Sequence, residues 1–414
     1  MNENSSMIHS EQSWSVALLG ARMHYAVPRL LYQAKLLEYF YTDICATKGW
    51  PRLLHAIPSP LQPAGVKRLL GRVPTGIPRE RIIAFNHLGW TYAQKLRQAR
   101  TTDETTAAFL WSGKAFCQLV LQHGLKPATG IYTFNSAGLE ILQAARYQGM
   151  DTVMEQTIAP RALEQELLLE EQENFPGWET PLGKDTHLEE YTLREQKEWE
   201  QADTIICGSE FVRQGIIACG GSGDRCKVIP YGIDMLSFPK LKRHRQTEPL
   251  RVLTVGSVGL RKGSPYVLKA AQKLRGKAVF RMVGPIGVQT EAQSLLSKNV
   301  ELIGPIPRSE ILAQYAWADI FLLPSLCEGS ATVIYEALAT GLPVICTPNA
   351  GSVVRDGYEG FIVSIRDVEA IVDKVELLAS NPELRAEMSD LAIQRAKEFT
   401  LESYHRRLMN VLVS

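Results

Sequence analysis

The sequence predicts an α/β protein built from two doubly wound, Rossmann-like domains. Short apolar segments of strand length alternate with helical stretches almost throughout, as in parallel sheets that are covered by helices on both faces. A polar, basic stretch at 235–249 interrupts this pattern near the middle of the chain. The length of 414 residues is sufficient for two or three domains with substantial cores.

The elements follow from the apolar runs and their flanking turn residues. In the first half, the predicted strands are Ser15–Leu19, Thr42–Cys45, Ile131–Phe134, Thr152–Glu155 and Thr204–Cys207. Helices are predicted at Arg29–Phe40, where Pro28 suits the first turn, and at Glu210–Ala218, which Ser209 caps. In the second half, the predicted strands are Leu250–Gly256, Ala278–Val283, Val300–Ile303, Ile320–Leu323 and Pro343–Cys346.

These elements define the predicted domain boundaries. We place a first domain at 1–235, a linker at 236–249 and a second domain at 250–400. A last segment, 401–414, has helical spacing in its apolar residues. It either stays on the second domain or crosses back to the first.

Composition excludes several classes of protein. The net charge is +1, so global charge suggests no nucleic-acid partner. No apolar run reaches the roughly 18 residues of a membrane span, and the polar N-terminus does not resemble a signal peptide. The 7 cysteines show no paired CxxC spacing, which predicts reduced thiols, a cytoplasmic location and no zinc site.

Two stretches of the first half have skewed charge. From Lys67 to Arg100, basic residues alternate with apolar ones and Glu80 is the one acid. From Glu164 to Glu200, acids predominate over bases. Both patterns are typical of solvated helical surface. The basic stretch is also consistent with a patch that rests on anionic lipid headgroups, which would make this a peripheral protein of the inner membrane face.

Two carboxylates eight positions apart flank the start of a predicted helix, Thr332–Thr340. Glu328 precedes this helix and Glu336 lies one to two turns inside it. Small residues fill 329–331, so a ligand can approach the backbone closely, and the first amides of the helix form an anion site. A ligand with hydroxyls at both ends and phosphate in the middle fits this arrangement, and a nucleotide sugar is such a ligand.

A glycine-rich turn follows the first strand of the second domain. It runs from Val255 to Ser264 and opens a predicted helix at Pro265–Leu274. The turn contains two adjacent cations, Arg261 and Lys262, that could hold phosphate oxygens. Glycine-rich turns of this type are common, so the turn alone is weak evidence for phosphate binding. Its presence in the same predicted domain as the two glutamates strengthens that interpretation.

Residues 200–400 resemble the donor domain of glycosyltransferase family 4, the retaining GT-B enzymes. The resemblance rests on the Glu-x7-Glu element and on the following segments: Ala202-Asp203, Ser209-Glu210, Ile229-Pro230-Tyr231-Gly232-Ile233-Asp234, Gly304, Tyr315–Pro324 and Gly341-Leu342-Pro343-Val344-Ile345. Over residues 1–200 it is at the level of fold only. It implies two domains facing each other across a cleft, a nucleotide-sugar donor, no metal, no cofactor, and a glycan or lipid-linked acceptor in cell-envelope or exopolysaccharide synthesis.

The resemblance also implies roles for individual residues. Glu336 would bind the ribose hydroxyls, Glu328 the donor sugar, and Lys262 the diphosphate and leaving group. The remaining predicted donor residues are Gly256, Ser257, Gly304, Ile306, Gly329, Ser330, Ala331 and Thr332. Ser257 stands where the family usually has arginine, and Arg261 is the candidate replacement.

The sequence gives weaker evidence for the acceptor-binding residues, because the first domain lacks the His-Asp pair that the family usually has after a strand. Ligands of open α/β sheets bind at the carboxyl ends of strands, which predicts Gly20, His24, Asn135, Glu155 and Gln156 at the cleft. His24 is equally consistent with a surface or core histidine, and Asn135 with a helix cap. Glu155 and Gln156 are the stronger candidates, since two polar residues end an apolar strand there.

The resulting hypothesis is a retaining, metal-independent glycosyl transfer. Lys262, Arg261 and the helix start at 330–332 would neutralise the leaving nucleoside diphosphate, since no Asp-x-Asp pair ends a strand. Two alternatives remain open. One is another GT-B chemistry, such as a nucleotide-sugar epimerase or a phosphorylase. The other is a non-catalytic nucleotide-sugar sensor or scaffold subunit.

Overall fold

A computed structural model describes residues 12–58, 61–241 and 249–413 of the chain. In this part, the first sheet has seven parallel strands in the order β3-β2-β1-β4-β5-β6-β7. They are β1 (Trp14–Leu18), β2 (Leu37–Thr42), β3 (Ile82–Ala84), β4 (Gly130–Phe134), β5 (Asp151–Gln156), β6 (Thr204–Cys207) and β7 (Cys226–Val228).

Helices cover both faces of this sheet. They are α1 (Ala26–Gln33), α2 (Ala64–Leu70), α3 (Asn86–Gln98), α4 (Thr102–His123), α5 (Leu139–Tyr147), α6 (Arg161–Asn174), α7 (Leu188–Gln201) and α8 (Glu210–Ala218). Local capping explains two of their starts. Thr101 and Glu104 form a reciprocal capping box on α4, and the Ser209 hydroxyl accepts a hydrogen bond from the amide of Val212 in α8.

The second sheet has six parallel strands among the described residues, in the order β10-β9-β8-β11-β12-β13. They are β8 (Leu250–Val255), β9 (Ala278–Val283), β10 (Val300–Gly304), β11 (Ile320–Leu323), β12 (Val344–Cys346) and β13 (Gly360–Ile362). The helices are α9 (Ser264–Lys273), α10 (Thr290–Ser297), α11 (Ile311–Trp317), α12 (Thr332–Ala339), α13 (Val368–Ser380), α14 (Pro382–Glu398) and α15 (Leu401–Leu412).

The predicted α/β class with two Rossmann-like domains is confirmed. Central strands such as β11 are buried on both faces, which is why they are apolar throughout. One local prediction is wrong: the helix predicted to reach Phe40 ends at Gln33, and β2 occupies Leu37–Thr42 in place of Thr42–Cys45. Lys35 has a positive φ of 62° beyond the end of α1, and the aromatic residues after it pair with β1.

The chain passes between the two domains after β7 and again between α14 and α15, and these two segments lie side by side. The segment after β7 forms a bridge from Ile233 to Thr400, directly before α15. Helix α15 then lies against the first domain's exit segment, since Arg407 donates a hydrogen bond to the Pro230 carbonyl at 3.1 Å and Tyr404 packs on Tyr231. The predicted linker at 236–249 includes residues 242–248, which lie outside the described residues.

Within the described ranges, no helix is long and apolar enough to cross a membrane. All seven cysteines are free thiols, and all but Cys219 are buried.

Candidate functional site

The glycine-rich turn and the first of the two glutamates meet in a buried cluster of charges. The Lys262 ammonium lies 2.8 Å from one oxygen of Glu328, and the Arg261 guanidinium lies 3.2 Å from the other. Lys262 and Glu328 are each 8% exposed. Burial lowers the pKa of Lys262, while the carboxylate of Glu328 acts in the opposite direction. The two cations share the carboxylate of Glu328, so both can also contact an anionic ligand that binds beside it.

Close backbone packing explains why this turn reaches Glu328. Gly263 has a φ of +73°, and a Cβ there would lie 2.1 Å from the carbonyl oxygen of Pro324, at the end of β11. The Leu326 amide donates a hydrogen bond to the Arg261 carbonyl at 2.9 Å. Glycine at 263 is therefore required for the turn to pack against the segment that carries Glu328.

The second glutamate lies on α12 and is also buried. The Tyr315 hydroxyl donates a hydrogen bond to one oxygen of Glu336 at 2.7 Å, and Arg308 lies 3.1 Å from the other. The Arg308 side chain is 61% exposed, so this ion pair opens towards solvent. Glu336 can thus exchange Arg308 for a ligand hydroxyl without losing Tyr315.

The predicted anion site at the start of α12 is smaller than the sequence suggests. The Glu328 amide donates to the Asn349 carbonyl at 3.0 Å, and the Ala331 amide donates to the Ala350 carbonyl at 3.1 Å. Ala331 is therefore a packing residue whose own amide is occupied. The amides of Gly329, Ser330 and Thr332 are left as the candidates for phosphate or sugar.

The other predicted donor residues surround this region. Ser257 is exposed directly after β8, and Gly256 before it has a φ of +142°. A Cβ at Gly256 would lie 2.7 Å from the Cε atom of Lys262, so the lysine side chain runs along this glycine. Gly304 ends β10, and Ile306 packs partly buried against the core beyond it.

The carboxylate of Glu155 lies at the end of β5 in the first domain. It accepts hydrogen bonds from the hydroxyls of Tyr132 at 2.6 Å and Tyr231 at 3.0 Å. Burial raises the pKa of Glu155, and the two tyrosine hydrogen bonds oppose that shift. Glu155 is 1% exposed, so contact with an acceptor would require movement of these tyrosines.

The side chain of Gln156 does not face the cleft, contrary to the sequence prediction. It donates to Glu195 at 3.0 Å and accepts from the Trp199 indole at 3.0 Å, both on α7. Successive strand residues point to opposite sides of the sheet, so Glu155 and Gln156 cannot share one face. Gln156 therefore holds α7 against the sheet.

Asn135 does not cap a helix but holds Thr157 at the end of β5. Its side-chain oxygen accepts hydrogen bonds from the amide of Thr157 at 3.2 Å and from the Thr157 hydroxyl at 2.7 Å. The start of α5 is instead bound by Glu198, which accepts from the amides of Ser136 and Gly138 at 2.7 and 2.9 Å. An internal carboxylate thus occupies the position that an anionic ligand would otherwise take.

The turn after β1 carries the remaining acceptor candidates in a strained backbone. Met23, His24 and Tyr25 all have positive φ, at 45°, 49° and 62°. Burial lowers the pKa of His24, and the positive charges of Arg308, in the second domain, and Arg29 lower it further. Clusters of strained residues of this type occur preferentially at functional sites.

Gly20 lies beside an ion pair that the sequence analysis missed. The Gly20 amide donates to the Asp43 carboxylate at 3.1 Å, and Arg72 lies 2.9 Å from the other oxygen of Asp43. Asp43 directly follows β2. The predicted strand Thr42–Cys45 placed Asp43 inside a strand, so Asp43 was not predicted to lie at the cleft. In the structure it lies at the carboxyl end of β2, where ligands of such sheets bind.

The two domains touch at the centre of the site. A Cβ at Gly329 would lie 1.9 Å from the carbonyl oxygen of Thr157, which follows β5. The Ser209 hydroxyl, after β6, donates a hydrogen bond to the Gly329 carbonyl. The loop with Glu328 therefore faces the carboxyl ends of the first sheet, and the charged cluster lies between the domains.

The described residues contain a single group of metal-type side chains, Asp103, Asp185 and His187, with ligand atoms within 4.8 Å of one another. These atoms already have partners: Asp103 accepts from His187 at 2.9 Å, and Asp185 accepts from Thr106 at 2.6 Å. Hydrogen bonds from Thr186 and His187 lower the pKa of Asp103 to about 2. The group joins α4 to the start of α7 and includes none of the residues described above for the cleft.

A family model matches the second domain. Residues 239–395 match the family model described as Glycosyl transferases group 1. The amylovoran biosynthesis glycosyltransferase AmsK of Erwinia amylovora is 27% identical over 200 residues, covering 44% of this chain and 49% of that protein. The chain thus spans about half the length of the curated relatives that it matches.

Solved structures resemble the whole chain. The sucrose-phosphate synthase of Thermosynechococcus elongatus has a TM-score of 0.64 at 17% identity, covering 97% of this chain and 98% of that one. HepE of Anabaena, in complex with UDP and glucose, has a TM-score of 0.61 at 14% identity, covering 97% and 99%. The fold is the GT-B fold, as predicted.

Proposed function

Because the second domain belongs to the group 1 glycosyl transferase family, we propose that this chain is a retaining, metal-independent glycosyltransferase. It would move a sugar from a nucleoside-diphosphate sugar to a glycan or lipid-linked acceptor. The observation that carries the proposal is the buried cluster of Lys262, Arg261 and Glu328 between the two domains. The name of the relative AmsK supports a role in exopolysaccharide or cell-envelope synthesis.

The chemical demand on the site is charge neutralisation. As the bond between the sugar and the diphosphate breaks, negative charge develops on the departing phosphate oxygen. Lys262 would exchange part of its contact with Glu328 for this oxygen, and Arg261 would support the same charge. Both groups are in place before the reaction, so little reorganisation is needed.

The acceptor would attack from the face that the leaving group vacates, which retains the configuration of the sugar. Because attack comes from that face, no enzyme nucleophile is required, and the departing phosphate would serve as the base that takes the proton from the acceptor hydroxyl. Released from Lys262, Glu328 would be free to accept a hydrogen bond from a sugar hydroxyl. Gly329 packs closely against Thr157 of the first domain, and closure of the two domains around the donor would exclude water and suppress its hydrolysis.

Glu336 would anchor the other end of the donor. Its ion pair with Arg308 is exposed, whereas its hydrogen bond to Tyr315 is buried. Ribose hydroxyls would displace Arg308 and donate to the same carboxylate oxygen. The nucleotide and the sugar would then be held by the two glutamates, with the diphosphate between them.

A thermal-shift screen of nucleoside diphosphates and nucleotide sugars tests this proposal. A cognate donor at a hundredfold excess over its dissociation constant should stabilise the protein by about 2.7 kcal/mol. The binding donor is then incubated with the protein alone and with an acceptor panel. Stabilisation by none of the nucleotides would contradict the proposal. Formation of an epimer from donor alone would favour an epimerase, and binding without any turnover a sensor subunit.

We also propose that the first domain rests on the inner face of an anionic membrane. Trp50 and Trp90 stack edge to face at 5.6 Å and are 41% and 45% exposed. Leu53 and Leu61, 75% and 72% exposed, lie in the same region. The same part of the sequence, 50–100, carries these exposed cations: Arg52, Lys67, Arg68, Lys95, Arg97 and Arg100. Tryptophan favours the headgroup region, and each nearby cation contributes roughly 1 kcal/mol.

Flotation with liposomes tests the membrane proposal. The protein should float with vesicles that contain anionic lipid at low salt, and not with neutral vesicles. Replacing Trp50 and Trp90 with alanine should reduce the floating fraction several-fold. Tyr147→Ala is a matched control, because Tyr147 is 94% exposed on α5. Protein that stays in solution with anionic vesicles would identify this region as ordinary solvated surface.

A further inference from the structure

A segment of the first domain crosses over to the glycine-rich turn of the second. We call residues 175–182, which follow α6, the strap. Phe175 packs edge to face on Tyr266 of α9 with ring centroids 5.5 Å apart. Trp178 is 9% exposed and belongs to the apolar core of the second domain. The strap is thus packed as part of a domain from which it is distant in sequence.

Polar contacts anchor the strap on both sides of its aromatic residues. The Gln289 amide donates to the Trp178 carbonyl at 2.7 Å, and the Gln289 side chain donates to the Thr180 hydroxyl at 3.0 Å. Before the strap, the Tyr266 hydroxyl donates its hydrogen bond to the carboxylate of Glu171 in α6, with the two carboxylate oxygens 2.7 and 2.9 Å away. The strap therefore has a defined position against α9.

Glu179 is the strap residue that reaches the turn. One of its carboxylate oxygens accepts a hydrogen bond from the Leu260 amide at 2.6 Å. A Cβ at Gly259 would lie 2.4 Å from the same oxygen, so a side chain there would displace the Glu179 carboxylate. On its other side, the Gly259 amide donates to the Ser264 hydroxyl at 2.8 Å. The backbone immediately before Arg261 is therefore held from two directions.

We propose that Glu179 is a positioning residue for the donor diphosphate, acting through the turn that presents Arg261 and Lys262. The inference rests on the proposed function and adds a first-domain residue to the donor site. A glycine-containing turn loses much conformational freedom when it becomes ordered. Glu179 provides that order before the ligand binds, and a hydrogen bond to a charged acceptor is stronger than a neutral one.

Charge contributes to the same effect. Arg261 is directed at Glu328 and the Cys327 carbonyl, at 3.2 and 3.0 Å. The nearby carboxylate of Glu179 interacts favourably with Arg261. Glu179 therefore supports both the backbone and the side chain of the phosphate-binding turn.

Calorimetric titration with UDP and with GDP tests the inference on the full chain. Glu179→Ala should raise the dissociation constant of the binding nucleotide on the order of tenfold, the effect of losing one hydrogen bond to a charged group. Glu179→Gln should have an affinity between those of the alanine variant and the wild type, because the amide oxygen can accept the same hydrogen bond but lacks the charge. Glu173→Ala, at an exposed position on α6, should match the wild type.

A second variant separates positioning from folding. Glu179→Asp keeps the charge but withdraws the oxygen from Leu260, so it should lose affinity as the alanine variant does. With donor and acceptor, KM for the donor should rise while kcat changes little. Unchanged nucleotide affinity in both variants would overturn the inference and leave the proposed function intact. A wild-type protein that binds none of the nucleoside diphosphates and nucleotide sugars of the thermal-shift screen would overturn both.

Discussion

Replacing Lys262 with alanine is expected to lower turnover by about two to three orders of magnitude while the protein stays folded. The ammonium lies 2.8 Å from Glu328 in a site that is 8% exposed, where one fixed charge is worth far more than in water. Arg261 would remain, but it is 3.2 Å from the other oxygen of Glu328 and approaches from the solvent side. The measurement is kcat with saturating donor.

Two further variants show whether the loss of turnover comes from the chemical step or from reduced stability of the protein. Lys262→Ala leaves Glu328 buried with one cationic partner fewer, which reduces stability. The double variant Lys262→Ala/Glu328→Gln removes that buried charge and should recover stability without recovering turnover. Lys273→Ala is the matched control, because Lys273 is exposed on α9 and pairs with Glu369. Near-normal kcat for Lys262→Ala would exclude Lys262 from the leaving-group role.

Replacing Glu336 with alanine is expected to weaken nucleotide binding by at least about tenfold, with less effect on kcat. Glu336 is 3% exposed, and its carboxylate is bound by Tyr315 through one oxygen and by Arg308 through the other. Its loss removes the anchor for the ribose hydroxyls and leaves Tyr315 without this partner. The measurement is the calorimetric affinity for the nucleoside diphosphate.

Arg308 provides the discriminating control for this prediction. If ribose displaces Arg308 from Glu336, then Arg308→Ala removes a competitor and should keep or improve nucleotide affinity. If Arg308 itself holds the nucleotide, the same variant should bind less well. Unchanged affinity in Glu336→Ala would show that the ribose is bound elsewhere.

Local patterns in the sequence predicted much of the second domain. The apolar runs at Ala278–Val283 and Ile320–Leu323 match their strands to the residue, because buried parallel strands admit few polar side chains. Glu328 and Glu336 were found from spacing alone, since a helix start between two acids is a local feature. The error at β2 came from a segment whose aromatic residues suit either a helix face or a strand.

The side chains that complete the site lie far apart in the sequence. Glu328 pairs with Lys262 from 66 positions away, and Glu179 reaches Leu260 from 81 positions away. The assignment of 1–235 to the first domain gave no indication that the strap packs against the second. Gln156 illustrates the same point, because its orientation depends on Trp199 and Glu195 across the sheet.

The sequence by itself therefore determined the α/β class, the two domains and the candidate donor residues. These depend on periodicity and on turn and cap residues, which act within a few positions along the chain. Only the tertiary structure decided which charges face each other, which amides of α12 are occupied and which residues of the first domain reach the cleft. Those outcomes depend on how two sheets and their connections pack, and contacts of this kind leave no periodic trace in the chain.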